Sequence, residues 1–197
     1  MKLVKRHLDN YWDDNDPRSL IFHTTLGHSF AGAYETLKAR GLSYNYLIDE
    51  DYVYEIVPWN KSAWHAGIKS NPVERITDFY GDTNPNTESV GIAFIRRGEA
   101  LTENHVNNAV ELIKWLGKQT RVAYYDKNTF CHYEVTDYKP KEVKQYRQDV
   151  LDALFGEKEP IEFKLKRIFD EFQTDPSPEK LRMLKIVCNV LLRFLRK

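Results

Sequence analysis

Residues 19–23 are Ser19-Leu20-Ile21-Phe22-His23, three consecutive apolar side chains followed directly by a histidine. A short apolar run bounded by polar residues predicts a buried β-strand, so His23 is expected at a strand end. Ser29 and Gly41 flank residues 30–40, and a serine N-cap with a glycine C-cap predicts a helix between them. The strand therefore leads His23 toward a loop that enters a helix.

The next segment predicts a β-hairpin. Residues 44–48 and 52–57 are aromatic and β-branched runs, and a charged turn separates them. Because side chains alternate along a strand, Tyr44, Tyr46 and Ile48 are expected on one face.

The middle of the chain predicts a loop, a strand and a second helix. Residues 69–88 are polar and contain several Pro, Asn and Gly, which favours a long loop over the sheet rather than core. Residues 90–95 predict a strand, and Thr102 is expected to begin a helix that runs to about Gly117. The whole order predicts an α/β fold, a central mixed β-sheet flanked by helices.

A second histidine follows another short apolar segment, in Cys131-His132-Tyr133-Glu134-Val135. A catalytic zinc takes about three protein ligands and an open position for water, and imidazole is a preferred ligand. His23 and His132 are therefore candidate metal ligands. Adjacent residues of a strand face opposite sides, so Cys131 is expected to face away from the site.

The composition excludes some classes of function. The formal net charge is zero and the isoelectric point is near 7.0, so the surface lacks the positive charge that nucleic-acid binding requires. Two cysteines are too few for a disulfide scaffold. No apolar run has the length of a membrane span or a signal peptide, so we expect a protein that is made in the cytoplasm.

The order of the motifs resembles the zinc-dependent N-acetylmuramoyl-L-alanine amidases of the type 2 amidase and peptidoglycan recognition protein superfamily. The resemblance spans roughly residues 19–145 and rests on the two histidine motifs and the three segments between them: Tyr44-Asn45-Tyr46-Leu47-Ile48, Trp64-His65-Ala66-Gly67 and Asn86-Thr87-Glu88-Ser89-Val90-Gly91-Ile92-Ala93-Phe94. It implies Zn²⁺ as cofactor and peptidoglycan or a muropeptide as substrate.

The resemblance also implies roles for individual residues. His23 and His132 match the two histidine ligands, and Tyr44 matches a tyrosine whose hydroxyl reaches the reacting centre. His65 matches a histidine that lines the substrate groove without binding metal. Lys139 matches a lysine that stabilises the negative charge developing on the substrate.

The third metal ligand is the point where the sequence departs from the family pattern. Lys141 occupies the expected position, and a charged lysine cannot bind zinc. Glu142 and Asp137 are nearby carboxylates, and oxygen ligands suit zinc. Glu142 lies ten residues after His132, a spacing that some members use, so it is the favoured ligand; a site without a third ligand is the remaining alternative.

A second departure concerns Ala93, because one branch of the family has a catalytic glutamate at that position. The resemblance then favours phage endolysins, which are released to the cell wall at lysis, over cytoplasmic recycling enzymes, which belong to the branch with the glutamate. The expected reaction is hydrolysis of the amide bond between N-acetylmuramic acid and L-alanine. The alternative is a catalytically inactive module that binds peptidoglycan or a protein partner and has a degenerate zinc site.

The C-terminal segment predicts a separate unit. We expect an amidase-like domain in residues 1–156 and a helical hairpin in residues 157–197. From residue 161 onward the sequence contains nine Lys or Arg and five Asp or Glu, which gives a net charge of +4. The last helix is therefore a candidate contact for a membrane surface or a protein partner, although packing on the domain is the simpler interpretation.

Overall fold

The computed structural model describes residues 1–25, 27–67, 71–96, 100–136 and 143–156. The strands are β1 (Leu3–Lys5), β2 (Tyr11–Trp12), β3 (Ser19–Thr24), β4 (Tyr46–Ile48), β5 (Val53–Glu55), β6 (Ser62–Ala63), β7 (Ser89–Phe94) and β8 (Thr129–Cys131). The α-helices are α1 (Phe30–Arg40), α2 (Glu74–Tyr80), α3 (Glu103–Thr120), α4 (His132–Val135) and α5 (Val143–Phe155).

Six of the strands form a mixed sheet in the order β1-β5-β4-β7-β3-β8, and β2 pairs with β6 in a separate ribbon. β3 lies between β7 and β8 and runs parallel to both. β4 and β5 form the predicted antiparallel hairpin. The predicted central mixed sheet is confirmed.

Helices cover both faces of this sheet. On one face, Ile21 of β3 packs in a buried cluster with Ile76 of α2. On the other face, the ring of Phe94 contacts Phe22 of β3 and Tyr146 of α5. The chain is therefore the predicted α/β sandwich, with its core on both sides of β3 and β7.

The ends of α1 follow the sequence prediction. The Ser29 hydroxyl oxygen accepts from the Gly32 amide at 3.3 Å, and Gly41 ends the helix in the left-handed conformation. α3 also begins after Thr102 as predicted, but it continues through Gly117 to Thr120. Leu116 is fully buried, and this packing offsets the weak helix propensity of the following glycine.

The prediction that residues 69–88 form a loop without core residues is wrong. Two turns of α2 lie in this segment, and its Ile76 and Tyr80 are buried at 0% and 2% exposure. These residues are four positions apart, so both lie on one face of the helix and reach the sheet. The neighbouring Pro, Asn and Gly residues concealed this short pattern.

Residues 143–156 are the last part of the chain that the structure describes. Contacts between residues group Met1–Leu154 into one compact unit. The helical hairpin predicted for residues 157–197 lies outside the described residues, so it and the domain boundary stay predictions. Among the described helices, none combines the length and apolar content that a bilayer crossing requires.

The burial of α2 predicts a specific loss of stability. Ile76→Ala is expected to lower the free energy of unfolding by about 2–5 kcal/mol, because a buried isoleucine loses its contacts and leaves a cavity. Val73→Ala is the control, since Val73 is 39% exposed and should change stability by about 0.5 kcal/mol or less. Urea unfolding measures both; equal small effects would contradict the packing of α2.

Candidate active site

The structure brings His23 and His132 together at one edge of the sheet. Phe22 and Cys131 are partners in the β3–β8 pairing, so His23 near the end of β3 and His132 directly after β8 lie at the same edge. Their Nδ1 atoms lie 2.8 Å apart. Both side chains are buried, and residues 109 apart in sequence therefore share one protected position.

His132 does not continue a strand, because β8 ends at Cys131 and His132 begins α4. The carboxylate of Glu134 accepts from the Cys131 amide at 2.7 Å and forms an ion pair with Arg75. Cys131 faces away from the site, and its thiol donates to the carbonyl of Val143 in α5 at 3.6 Å. Glu134 thus holds the backbone turn that presents His132.

His65 packs behind His23. Its Nδ1 lies 3.0 Å from Nε2 of His23, and its Nε2 lies 3.3 Å from the hydroxyl oxygen of Ser89. Burial, with a smaller contribution from His132, lowers the pKa of His65 to about 3, so the ring is neutral. The ring is 5% exposed and directed toward His23, while its expected contact with substrate stays a prediction.

The segment that carries His65 also contacts the other histidine. Nε2 of His132 donates to the Ala66 carbonyl at 3.2 Å. The backbone amides of His65 and Ala66 both donate to the side-chain oxygen of Asn86, at 3.1 and 2.8 Å. Asn86 therefore fixes the backbone from which both contacts to the histidine pair are made.

Gly91 of β7 leaves the space for His65, and Asn45, directly before β4, holds Gly91 in place. A Cβ on Gly91 would lie 2.5–2.8 Å from three ring atoms of His65, closer than carbon atoms approach. The Gly91 amide donates to the side chain of Asn45 at 2.9 Å, and the Asn45 amide group donates to carbonyls of the loop after β5. The ring of His65 thus packs directly on backbone that Asn45 holds in place.

Sequence reasoning assigned no role to Asn45, Asn86, Ser89 or Gly91. All four lie in the motifs on which the resemblance rests; three are polar residues and one is a glycine. A glycine inside a strand indicates close approach by another group, and this pattern could have identified Gly91. The partners of the three polar residues depend on contacts distant in sequence.

Tyr44 lies beside His23, with ring centroids 4.7 Å apart. Burial raises the pKa of its hydroxyl to about 12, despite the opposing charge of Arg40, so it stays protonated near neutral pH and can donate. The expectation that Tyr44 shares a face with Tyr46 is wrong. Tyr44 packs against the cluster that contains Leu47, whereas Tyr46 contacts Trp115 of α3.

The backbone around Asn45 explains this change of face. Its carbonyl accepts from two consecutive amides, those of Ile56 and Val57, at 2.9 and 3.3 Å. Two residues that follow β5 thus oppose one residue that precedes β4, as in a β-bulge. The chain also bends at Asn45, so the alternation of β4 does not extend back to Tyr44, whose ring faces His23.

The histidine pair fits a metal ion in part. Two nitrogens that share a tetrahedral zinc are ~3.3 Å apart, given zinc–nitrogen bonds of 2.0–2.1 Å. The observed 2.8 Å is therefore a few tenths of an ångström from that spacing. Within the described ranges, no group of three or more His, Cys, Asp or Glu is placed to hold a metal. Asp137, Lys139 and Glu142 lie outside those ranges, and their roles stay predictions.

The family comparison agrees with this arrangement. A family model described as N-acetylmuramoyl-L-alanine amidase matches residues 13–145, two thirds of the chain. The chain belongs to this family. It is an amidase that acts on peptidoglycan, as the sequence resemblance implied.

Solved structures with the same fold include a mutant endolysin from Bacillus subtilis, at 20% identity and a TM-score of 0.58, which covers 79% of this amidase and 100% of that chain. The Staphylococcus aureus hydrolase AmiA in complex with its ligand is 15% identical, with a TM-score of 0.57 and coverage of 83% and 86%. The Clostridium intestinale endolysin LysCS is 18% identical, with a TM-score of 0.51 and coverage of 75% and 95%. No curated protein matches the amidase.

The contact between Gly91 and His65 predicts the effect of one added methyl group. Gly91→Ala is expected to destabilise the amidase by about 1–3 kcal/mol, because the buried ring has to move. Gly32→Ala is the control, since its Cβ would meet only the Ser29 hydroxyl at 3.3 Å in a helix that favours alanine. Urea unfolding compares the two variants, and an unchanged Gly91→Ala variant would contradict the packing.

The two backbone amides that donate to Asn86 predict a larger loss of stability. Asn86→Ala leaves both buried donors without this acceptor, at about 1–3 kcal/mol each. Asn108→Ala is the matched control, because Asn108 is half-buried and donates to carbonyls near the surface, where water replaces it. Thermal or urea unfolding measures the difference; losses of the same size would show that Asn86 does not hold the segment.

Proposed function

We propose that this amidase is zinc-dependent and hydrolyses the bond between N-acetylmuramic acid and the first L-alanine of the peptidoglycan stem. The observation that carries the proposal is the 2.8 Å approach of the Nδ1 atoms of His23 and His132 in a buried position. Two imidazole nitrogens directed at one point are a typical part of a zinc site. The bond is the one that gives the family its description.

The metal would be held by Nδ1 of His23, Nδ1 of His132 and the carboxylate of Glu142, with Asp137 as the alternative third ligand. When bound, zinc supplies the Lewis acidity that allows water to attack an amide carbonyl near neutral pH. Only the two histidines are within the described residues, so the carboxylate is the part of this proposal that rests on sequence.

The substrate carbonyl gains negative charge as it is attacked, and two groups are proposed to stabilise this charge. The ring of Tyr44 lies beside His23 and its hydroxyl stays protonated, so Tyr44 can donate to the developing oxyanion. Lys139 is proposed to add a positive charge at the same oxygen. Burial of the histidine pair limits the access of bulk water and strengthens both interactions.

We further propose that the amidase acts as a phage endolysin, made in the cytoplasm and released to the cell wall at lysis. Ala93 supports this role, since it lies beside His23 in the β3–β7 register where the other branch of the family has a glutamate. The fold similarity to solved endolysins is consistent with it. Lysis that requires co-expression of a membrane-permeabilising protein would support this location, whereas lysis by the amidase alone would contradict it.

The central test measures zinc and bond cleavage together. The purified protein is expected to contain one zinc per chain and to release stem peptides that begin with L-alanine from purified peptidoglycan, identified by mass spectrometry. His132→Ala is expected to lose both properties. His7→Ala is the control, because His7 is exposed and pairs with Glu55 away from the histidine pair.

Two further variants identify the third ligand. Glu142→Ala is expected to reduce zinc content and cleavage, while Asp137→Ala is expected to retain both. The reverse result would assign Asp137. If neither variant loses zinc or cleavage, neither carboxylate is a zinc ligand. Muropeptide binding without zinc or cleavage would contradict the proposed function and favour an inactive binding module.

A further inference from the structure

A chain of hydrogen bonds leads from a backbone carbonyl to His23. The Pro85 carbonyl can only accept, and the Ser89 hydroxyl donates to it at 2.5 Å. The proton of Ser89 is thereby used, so its oxygen accepts from Nε2 of His65 at 3.3 Å. His65 consequently carries its hydrogen on Nε2.

The position of that hydrogen determines what His65 offers to His23. In a neutral imidazole with a hydrogen on Nε2, Nδ1 is an acceptor. This Nδ1 lies 3.0 Å from Nε2 of His23. His23 therefore donates through Nε2, and its own Nδ1 is left as the acceptor that faces His132.

His132 is oriented in the same way by the next residue of the segment. The Ala66 carbonyl can only accept, so Nε2 of His132 carries the hydrogen in their 3.2 Å contact. Nδ1 of His132 is then an acceptor as well. The two acceptor nitrogens lie 2.8 Å apart, and a cation placed between them would bind both lone pairs.

We propose that His65 is a positioning residue that, with Ser89, holds His23 in the tautomer with its hydrogen on Nε2, while Ala66 holds His132 in the same tautomer. The segment thus prepares both Nδ1 atoms as metal ligands before any metal arrives. The effect on metal binding rests on the proposed zinc dependence. Partners of this kind contribute about 10–100-fold to metal affinity.

His65→Leu and His65→Asn test the role of His65 as an acceptor. Leucine fills similar space without an acceptor, whereas the asparagine side-chain oxygen can take the place of Nδ1 and accept from His23. We expect His65→Leu to weaken zinc affinity about 10–100-fold. His65→Asn is expected to stay closer to wild type. Zinc affinity is measured by competition with a chelating dye, and circular dichroism checks that both variants are folded.

Ser89→Ala and Ser19→Ala form a matched pair that avoids changing His65 itself. The two serines are partners in the β3–β7 pairing, both are fully buried, and both donate to a backbone carbonyl. Both serines contact Tyr80, and Ser89 also contacts His65. A purely structural role predicts equal changes in zinc affinity, and the proposed role predicts a larger change for Ser89→Ala.

The tautomer is read directly from long-range proton–nitrogen NMR spectra of the metal-free protein with labelled histidine. We expect His23 to carry its hydrogen on Nε2 in the wild type and in His65→Asn, and to populate the other tautomer in His65→Leu. A hydrogen on Nδ1 in the wild type, or the same tautomer in all three proteins, would overturn the proposal.

The two proposals fail in distinguishable ways. If the wild type binds no zinc, zinc dependence is contradicted, and the metal-free spectra still decide the tautomer. If the wild type binds zinc and His65→Leu binds it equally well in a folded protein, the positioning role is contradicted while zinc dependence stands.

Discussion

Parallel pairing of β3 with both β7 and β8 is the constraint on which the site depends. In parallel strands the carboxyl ends meet at one edge, so the residues that leave β3 and β8 become neighbours regardless of their separation in sequence. His23 therefore lies beside Ala93 in register and next to the first residue of α4. The buried clusters on both faces of β3 stabilise this pairing, and the position of the histidines follows from it rather than from any contact between them.

Close packing around His65 is the second constraint on the site. The ring lies against the backbone of Gly91, and the segment that carries it is held by Asn86. Buried polar groups are costly unless each finds a partner, and here the amides of His65 and Ala66 pair with Asn86 while Nε2 of His65 pairs with Ser89. The network leaves little freedom for the histidines to rotate. This suits a site whose coordinating side chains have to be oriented before a metal ion arrives.

The sequence predicted the elements whose causes are local. Apolar runs identified β3 and β7, a serine and a glycine marked the ends of α1, and the family resemblance paired His23 with His132. It failed where non-local contacts decide the outcome. α2 is only two turns long and is recognisable mainly from the sheet on which it packs. The turn of Tyr44 toward the histidines coincides with a bend at Asn45, whose carbonyl accepts from the amides of both Ile56 and Val57, and no alternation rule contains that information.

The charge of the site bears on the identity of the third ligand of the proposed zinc ion. Two of the partners that orient the histidines, the ring of His65 and the Ala66 carbonyl, carry no charge. A divalent cation held in a buried position by neutral groups alone carries a large desolvation cost, and an anionic ligand reduces it. Ala93 supplies no charge at the position beside His23 where the other branch has a glutamate. This balance favours a carboxylate from the segment between α4 and α5, Glu142 or Asp137, over a site that consists of two histidines only.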